Sequence, residues 1–140
     1  MRLQLVTLAG VQLDEDVYEV YIPTAAGPIG VLPGHEPLVS VAVPGVIKVR
    51  FRKEVSDEKV ELFAIGGGVI DVDQRRIKIL VDEADRGDDI VESEAQKALE
   101  EALELKKNAK TAVELEKASA LVDRHQVRLN VAGLRRRKRG

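Results

Sequence analysis

At 140 residues, 44% of them hydrophobic, the chain is long enough for one modest domain with an appendage and apolar enough for a packed core. It has no cysteine and two histidines, His35 and His125, far apart in the sequence. This excludes disulfides, zinc–thiolate sites and thiol nucleophiles, and argues against a transition-metal site. The net charge is −2 and aromatics make up 3%, with no Trp, so a stacking surface for single-stranded nucleic acid is poorly supported.

No apolar run is long enough to cross a bilayer. Residues 1–10 lack the apolar core and cleavage site of a signal peptide, so the expectation is a soluble cytoplasmic protein.

Residues 1–86 read as short strands broken by Gly and Pro. Leu3, Leu5 and Thr7 alternate with Gln4, Val6 and Leu8 as a first strand. Residues 17–22 are β-branched and aromatic and stop at Pro23. Residues 39–43 follow, then a Pro44-Gly45 turn. In residues 46–52, Ile47, Val49 and Phe51 alternate with Lys48, Arg50 and Arg52, one face buried and one wet. Val60, Leu62 and Ala64 form the return strand. Residues 69–72 and 77–81 form a final hairpin about Asp73-Gln74-Arg75. Many short strands with no helix between them predict an all-β sandwich or flattened antiparallel barrel, because parallel pairing calls for crossover helices that have no room here.

From Asp88 onward there is no proline, and Gly133 is the single glycine before the last residue. Asp89 with Glu92 predicts a capping box, and Val91, Ala95, Ala98, Ala102, Leu105 and Ala109 form one apolar stripe. Thr111 with Glu114 restarts the pattern, with Leu115, Ala118, Val122, Leu129 and Ala132 as the second stripe, flanked by Leu121 and Val131. The short connection around 108–111 makes residues 87–140 an antiparallel helical hairpin. The alanine-rich first stripe buries little area, so the hairpin is expected to be only weakly held.

Charge is uneven. Residues 113–140 carry eight Lys or Arg against three acids, on a chain that is otherwise acidic. Arg124, Arg128, Arg135, Arg136 and Arg137 therefore point to an acidic partner, or alternatively to nucleic acid, which would bind with steep salt dependence.

Other motifs read plainly. Gly66-Gly67-Gly68 lacks the Lys and Ser or Thr of a phosphate loop and signals a bulge or a close backbone approach. His35-Glu36 lacks the second histidine of a zinc protease, with Val39 in its place. Asp71, Asp73, Asp82, Glu83 and Asp85 read as turn or surface acids, so no catalytic residue is expected. Residues 27–38 (Gly27-Pro28-Ile29-Gly30-Val31-Leu32-Pro33-Gly34-His35-Glu36-Pro37-Leu38) read as a stiff, exposed, partly apolar partner loop.

That stretch, with Pro44-Gly45, the segment 66–72 and the strand 77–84, resembles the epsilon subunit of the rotary ATP synthase over essentially the whole chain. The resemblance implies a non-catalytic rotor subunit on the cytoplasmic face of the bacterial inner membrane. Its sandwich would bind the central-stalk gamma subunit and the proton-driven ring of c subunits. Gly27, Pro28, Ile29, Gly30 and His35 would lie on the ring and gamma side. The hairpin would fold against the sandwich or extend into the catalytic head of alpha and beta subunits. There the arginines would meet an acidic loop of the beta subunits and inhibit ATP hydrolysis. Some relatives bind ATP through an Asp and an Arg at the start of the first helix; here Val91 and Glu94 stand in those places, so no cofactor and no tight nucleotide binding are expected.

Overall fold

The computed structural model describes residues 1–139, with residue 58 and residues 137–139 in backbone only. Ten strands are present among the described residues: β1 Arg2–Thr7, β2 Gly10–Asp16, β3 Glu19–Ile22, β4 Ile29–Val31, β5 Leu38–Ala42, β6 Gly45–Arg50, β7 Glu61–Ile65, β8 Gly68–Val72, β9 Arg76–Val81 and β10 Ala84–Arg86. Two helices follow, α1 Glu92–Lys107 and α2 Ala112–Arg139.

The strands form two five-stranded sheets, in the orders β2-β1-β9-β8-β5 and β10-β7-β6-β3-β4. Alternate residues turn inward, and Leu3, Leu5, Val20, Ile22, Ile47, Val49, Ile70, Val72, Ile77 and Ile79 meet in the core between the sheets. The expected sandwich followed by a helical hairpin is the observed architecture.

One pairing departs from the antiparallel expectation: β1 runs parallel to β9, with Leu3 opposite Ile77 and Leu5 opposite Ile79. The chain from β2 to β8 crosses to the second sheet and returns, so the sandwich itself provides the crossover and no helix is needed. β2 and β10 also go beyond the sequence reading. β2 carries Asp14, Glu15 and Asp16 and is an edge strand with little apolar signal, and β10 is a three-residue strand paired to β7. The 8–9 hairpin is thus not the end of the sheet structure.

Residues 27–38 are more ordered than a loop. Gly27 and Gly34 lie at φ 113 and 83, a region that L side chains rarely enter, and these corners let the intervening residues extend as β4. β4 pairs with β3, Ile29 opposite Ile22 and Val31 opposite Val20, and Val31 is fully buried.

The glycine triplet is a close approach of backbones. A Cβ on Gly68 would stand 1.9 Å from the Leu80 carbonyl oxygen, in the β8–β9 ladder. The β8–β9 turn is held by Asp73, whose Oδ1 accepts from the Arg75 and Arg76 backbone N–H groups, both at 2.7 Å. These two donors hold the carboxyl below the usual carboxylate range.

The helices start partly where expected. Thr111 caps α2, its Oγ1 accepting from Glu114 N–H at 3.1 Å, while the Glu114 carboxylate reaches back to Lys110 N–H at 2.9 Å. The first capping box is not formed. Asp88 and Asp89 lie in a 3-10 turn, Gly87–Asp89, and α1 begins after Val91 without a side-chain cap. The buried stripe of α1 is Ala95, Leu99 and Ala102, whereas Val91 and Leu105 are exposed, and on α2 it is Ala118, Val127, Val131 and Ala132.

Candidate partner surfaces and the hairpin latch

Strand β7 is buried on both faces, which is why its sequence lacks the usual alternation. Phe63 and Ile65 point into the sandwich. Leu62 and Ala64 point outward and pack with Ile90, Ala95, Val127, Val131 and Ala132 in a second, smaller core. The hairpin therefore lies docked on the β10–β7–β6 side of its sheet. Gly87 is buried at the seam, and a Cβ there would stand 3.0 Å from both the Leu62 carbonyl oxygen and Val131 Cγ1.

A row of arginines rims this seam. Residues 124, 128 and 135 are spaced by four and seven, so they share one face of α2. Arg124 pairs with Glu83, and Arg128 Nε faces Asp85 Oδ2 at 3.4 Å. The two carboxylates are two residues apart on extended chain, a rise of about 6.8 Å, and the four-residue step between the arginines rises about 6 Å. That match lets both pairs form at once.

Arg135 donates to the Gly87 carbonyl and, through Nη2, to the Ile90 carbonyl at 2.9 Å. Arg136 Nη1 pairs with Glu92 Oε1 at 2.8 Å across the hairpin. The side chain of Arg137 lies outside the described residues.

Glu83 and Asp85 read in the sequence as surface acids; in the fold they are the partners of Arg124 and Arg128. The signal was present as two acids spaced by two, facing two arginines spaced by four, but nothing local connects them. His125 lies beside this latch, half-buried, with Nδ1 3.1 Å from Arg128 Nη1.

The glycine-cornered segment lies elsewhere. β4 is the edge strand opposite β10, three strands from β7 and so about 14 Å away. Pro28 and Gly30 are exposed there, Gly27 and Ile29 half-buried, and Leu32 is 44% exposed. His35 Nδ1 donates to the Glu36 carbonyl at 2.7 Å, since a carbonyl can only accept. The fold thus keeps the two groups of sequence-selected residues at opposite edges of one sheet.

A third surface was not foreseen. On the outer face of the first sheet, Val41 lies opposite Val69, Val69 opposite Leu80, Leu80 opposite Val6, and Val6 opposite Val11. This apolar row crosses all five strands, and Val11, Val41, Val69 and Leu80 are exposed along it. The next row holds Asp71 and Lys78, so the apolar band has a charged border. Each strand contributes one residue, and no segment of sequence reveals it. Exposed apolar bands are where partner, membrane or ligand contacts are found.

A sandwich with an apolar face, a glycine-cornered edge and a hairpin latched by arginines defines a partner-binding protein of the sandwich-plus-hairpin class. The ATP synthase delta/epsilon chain β-sandwich domain matches residues 1–87. The chain is 36% identical over 138 residues to the ATP synthase epsilon chain of Herpetosiphon aurantiacus, covering 99% of this chain and 98% of that one. It is 33% identical over 139 residues to that of Chloroflexus aggregans, covering 99% and 96%.

Among solved structures it resembles a chain of the Euglena gracilis mitochondrial ATP synthase OSCP/F1/c-ring assembly, with TM-score 0.75, 27% identity, and 94% of this chain and 79% of that chain covered. The chain belongs to the epsilon-chain family of the F-type ATP synthase. These similarities give the nucleic-acid reading no support.

Proposed function

We propose that the protein is a non-catalytic rotor subunit that couples ring rotation to ATP synthesis and restrains ATP hydrolysis through its hairpin. The sandwich is its anchor, residues 1–86, and the hairpin, residues 87–140, is its regulatory arm. The apolar row Val41–Val69–Leu80–Val6–Val11 docks against the central-stalk gamma subunit. The edge carrying Gly27, Pro28, Ile29, Gly30 and His35 faces the ring of c subunits. The protein is peripheral to the membrane, held at the cytoplasmic face of a bacterial inner membrane by the complex; no helix of the described residues is long and apolar enough to cross a membrane.

The observation that carries the regulatory reading is that Arg124 and Arg128 already hold carboxylates, Glu83 and Asp85. The same guanidinium groups cannot hold these acids and an acidic loop of a catalytic beta subunit together. Docking on the sandwich and inhibition of the alpha–beta head are therefore exclusive, and the latch sets the balance. Both pairs are partly buried, so the cost of desolvating the charges offsets much of their attraction and the balance can be tipped. Val91 and Glu94 at the start of α1 supply no guanidinium for a phosphate, and the hairpin moves without a tightly bound nucleotide.

The test is reconstitution with the gamma subunit and the catalytic head. A stable complex whose ATPase rises when residues 88–140 are removed supports the reading. Failure to assemble with gamma overturns it.

A further inference from the structure

His125 is the one titratable group near neutrality built into the latch. It lies on α2 between Arg124 and Arg128, and its Nδ1 meets Arg128 Nη1 at 3.1 Å. An arginine can only donate, so Nδ1 must carry a free lone pair and the docked imidazole must be neutral, with its proton on Nε2. The same guanidinium turns its solvent-shielded Nε to Asp85 Oδ2 at 3.4 Å. Arg128 is thus shared between an imidazole of its own helix and a carboxylate of the sandwich.

We propose that His125 is a proton-operated release for the hairpin: protonation at Nδ1 removes the acceptor that orients Arg128 and sets a second cation against it, so the docked hairpin is released in mild acid. The groups facing His125 are Arg124 and Arg128 from α2, Asp85 from β10 and Glu101 from α1. Burial and the two arginines hold the imidazole below its ordinary value, against the smaller opposing pull of the two carboxylates. On a released helix the burial is gone and water screens the arginines, so the imidazole returns toward about 6.5.

Between the two values the released chain binds the extra proton. Docking is therefore held in full above the ordinary histidine range and weakens as pH falls through it. The proposal rests on the hairpin being detachable, and not on what it meets once free.

The experiment uses the full chain, which has no native cysteine, carrying Gln74→Cys and Lys110→Cys for a fluorescence donor and acceptor. The sandwich-to-hairpin distance is read from pH 7.5 to 5.5 at fixed ionic strength. The expected result is a several-fold fall in the docked-to-released ratio at the acid end. His125→Gln, which keeps an acceptor for Arg128 but takes no proton, abolishes that fall; His125→Lys keeps the hairpin released across the range.

A second readout needs no labels: in His35→Gln the remaining imidazole, followed by NMR, titrates below the ordinary histidine value. A flat wild-type distance, or an unchanged acid response in His125→Gln, overturns the proposal, the latter by assigning the response to the carboxylates. Acid release with no change in ATPase of the assembled head upholds it and overturns the inhibitory reading instead.

Discussion

Arg135 reaches from α2 to the linker between sandwich and hairpin, where its Nη2 donates to the Ile90 carbonyl at 2.9 Å. Its other terminal nitrogen holds the Gly87 carbonyl. The far end of the chain thereby grips the segment about which the hairpin must turn. The Gly87 carbonyl, which already accepts the Ile90 backbone N–H at 3.2 Å, and the Ile90 carbonyl each gain a charged donor, and the hinge is fixed by the helix it would otherwise release.

The closeness of packing at that hinge gives the first prediction. Gly87 leaves no room for a branched side chain between the Leu62 carbonyl and Val131. Gly87→Val should wedge α2 off the sheet, with an overpacking cost of about 1–3 kcal/mol to docking. Hydrogen exchange checks it: protection should fall in α1 and α2 and stay unchanged in β1, β8 and β9.

The glycine triplet makes a paired prediction. Gly68→Ala places a methyl against Leu80 backbone, whereas a Cβ on Gly67 meets the Ala42 carbonyl at an ordinary 3.5 Å. In urea unfolding, Gly68→Ala should lose roughly 2–3 kcal/mol or more. Gly67→Ala should stay within about 1 kcal/mol of wild type. Equal losses would refute the close-approach reading.

The two sides of the latch should act in opposite directions on the assembled ATPase. Glu83→Gln with Asp85→Asn frees the arginines, so hydrolysis should be more strongly inhibited. Arg124→Gln with Arg128→Gln also loosens docking but strips the groups that meet the head, so inhibition should be lost. Steady-state ATPase of the reconstituted complex distinguishes them, and a shift in the same direction for both pairs contradicts the exclusive use of these arginines.

On the sheet face, Val69→Asp or Val41→Asp adds charge to an exposed site. Folding stability should change by no more than about 0.5 kcal/mol. Affinity for the gamma subunit, read by calorimetry, should fall at least about tenfold if this row is the docking surface.

Asp73 supplies a pH dependence. Its carboxylate is held below the usual range by the Arg75 and Arg76 N–H groups. Its contribution is present above about 3.9, the unfolded value, and is lost as pH falls through the lower folded value. Asp73→Ala should therefore be less stable than wild type at pH 7, and the gap should close in strong acid. Chemical denaturation at several pH values checks it.

Much was legible along the chain because it depends on neighbours in sequence. Alternation over residues 46–52 marked β6, whose Ile47 and Val49 are in the core, and Thr111 with Glu114 marked the start of α2. The change from Gly- and Pro-rich strands to a proline-free segment announced the sandwich and the hairpin. What local pattern could not carry was decided by contact across distance. Leu62 and Ala64 are buried only because α2 covers β7, and the parallel partnership of β1 with β9 exists only because the intervening strands visit the other sheet.

The acids at 83 and 85 have the same chemistry as any surface carboxylates until the fold sets them at helical pitch against Arg124 and Arg128. The row Val41–Val69–Leu80–Val6–Val11 likewise takes one residue from each of five strands. Composition and spacing determined which elements form, because backbone preference and burial of one face are local. Only the tertiary structure decided which charges pair and which apolar residues align, because those energies depend on distances that the chain order does not contain.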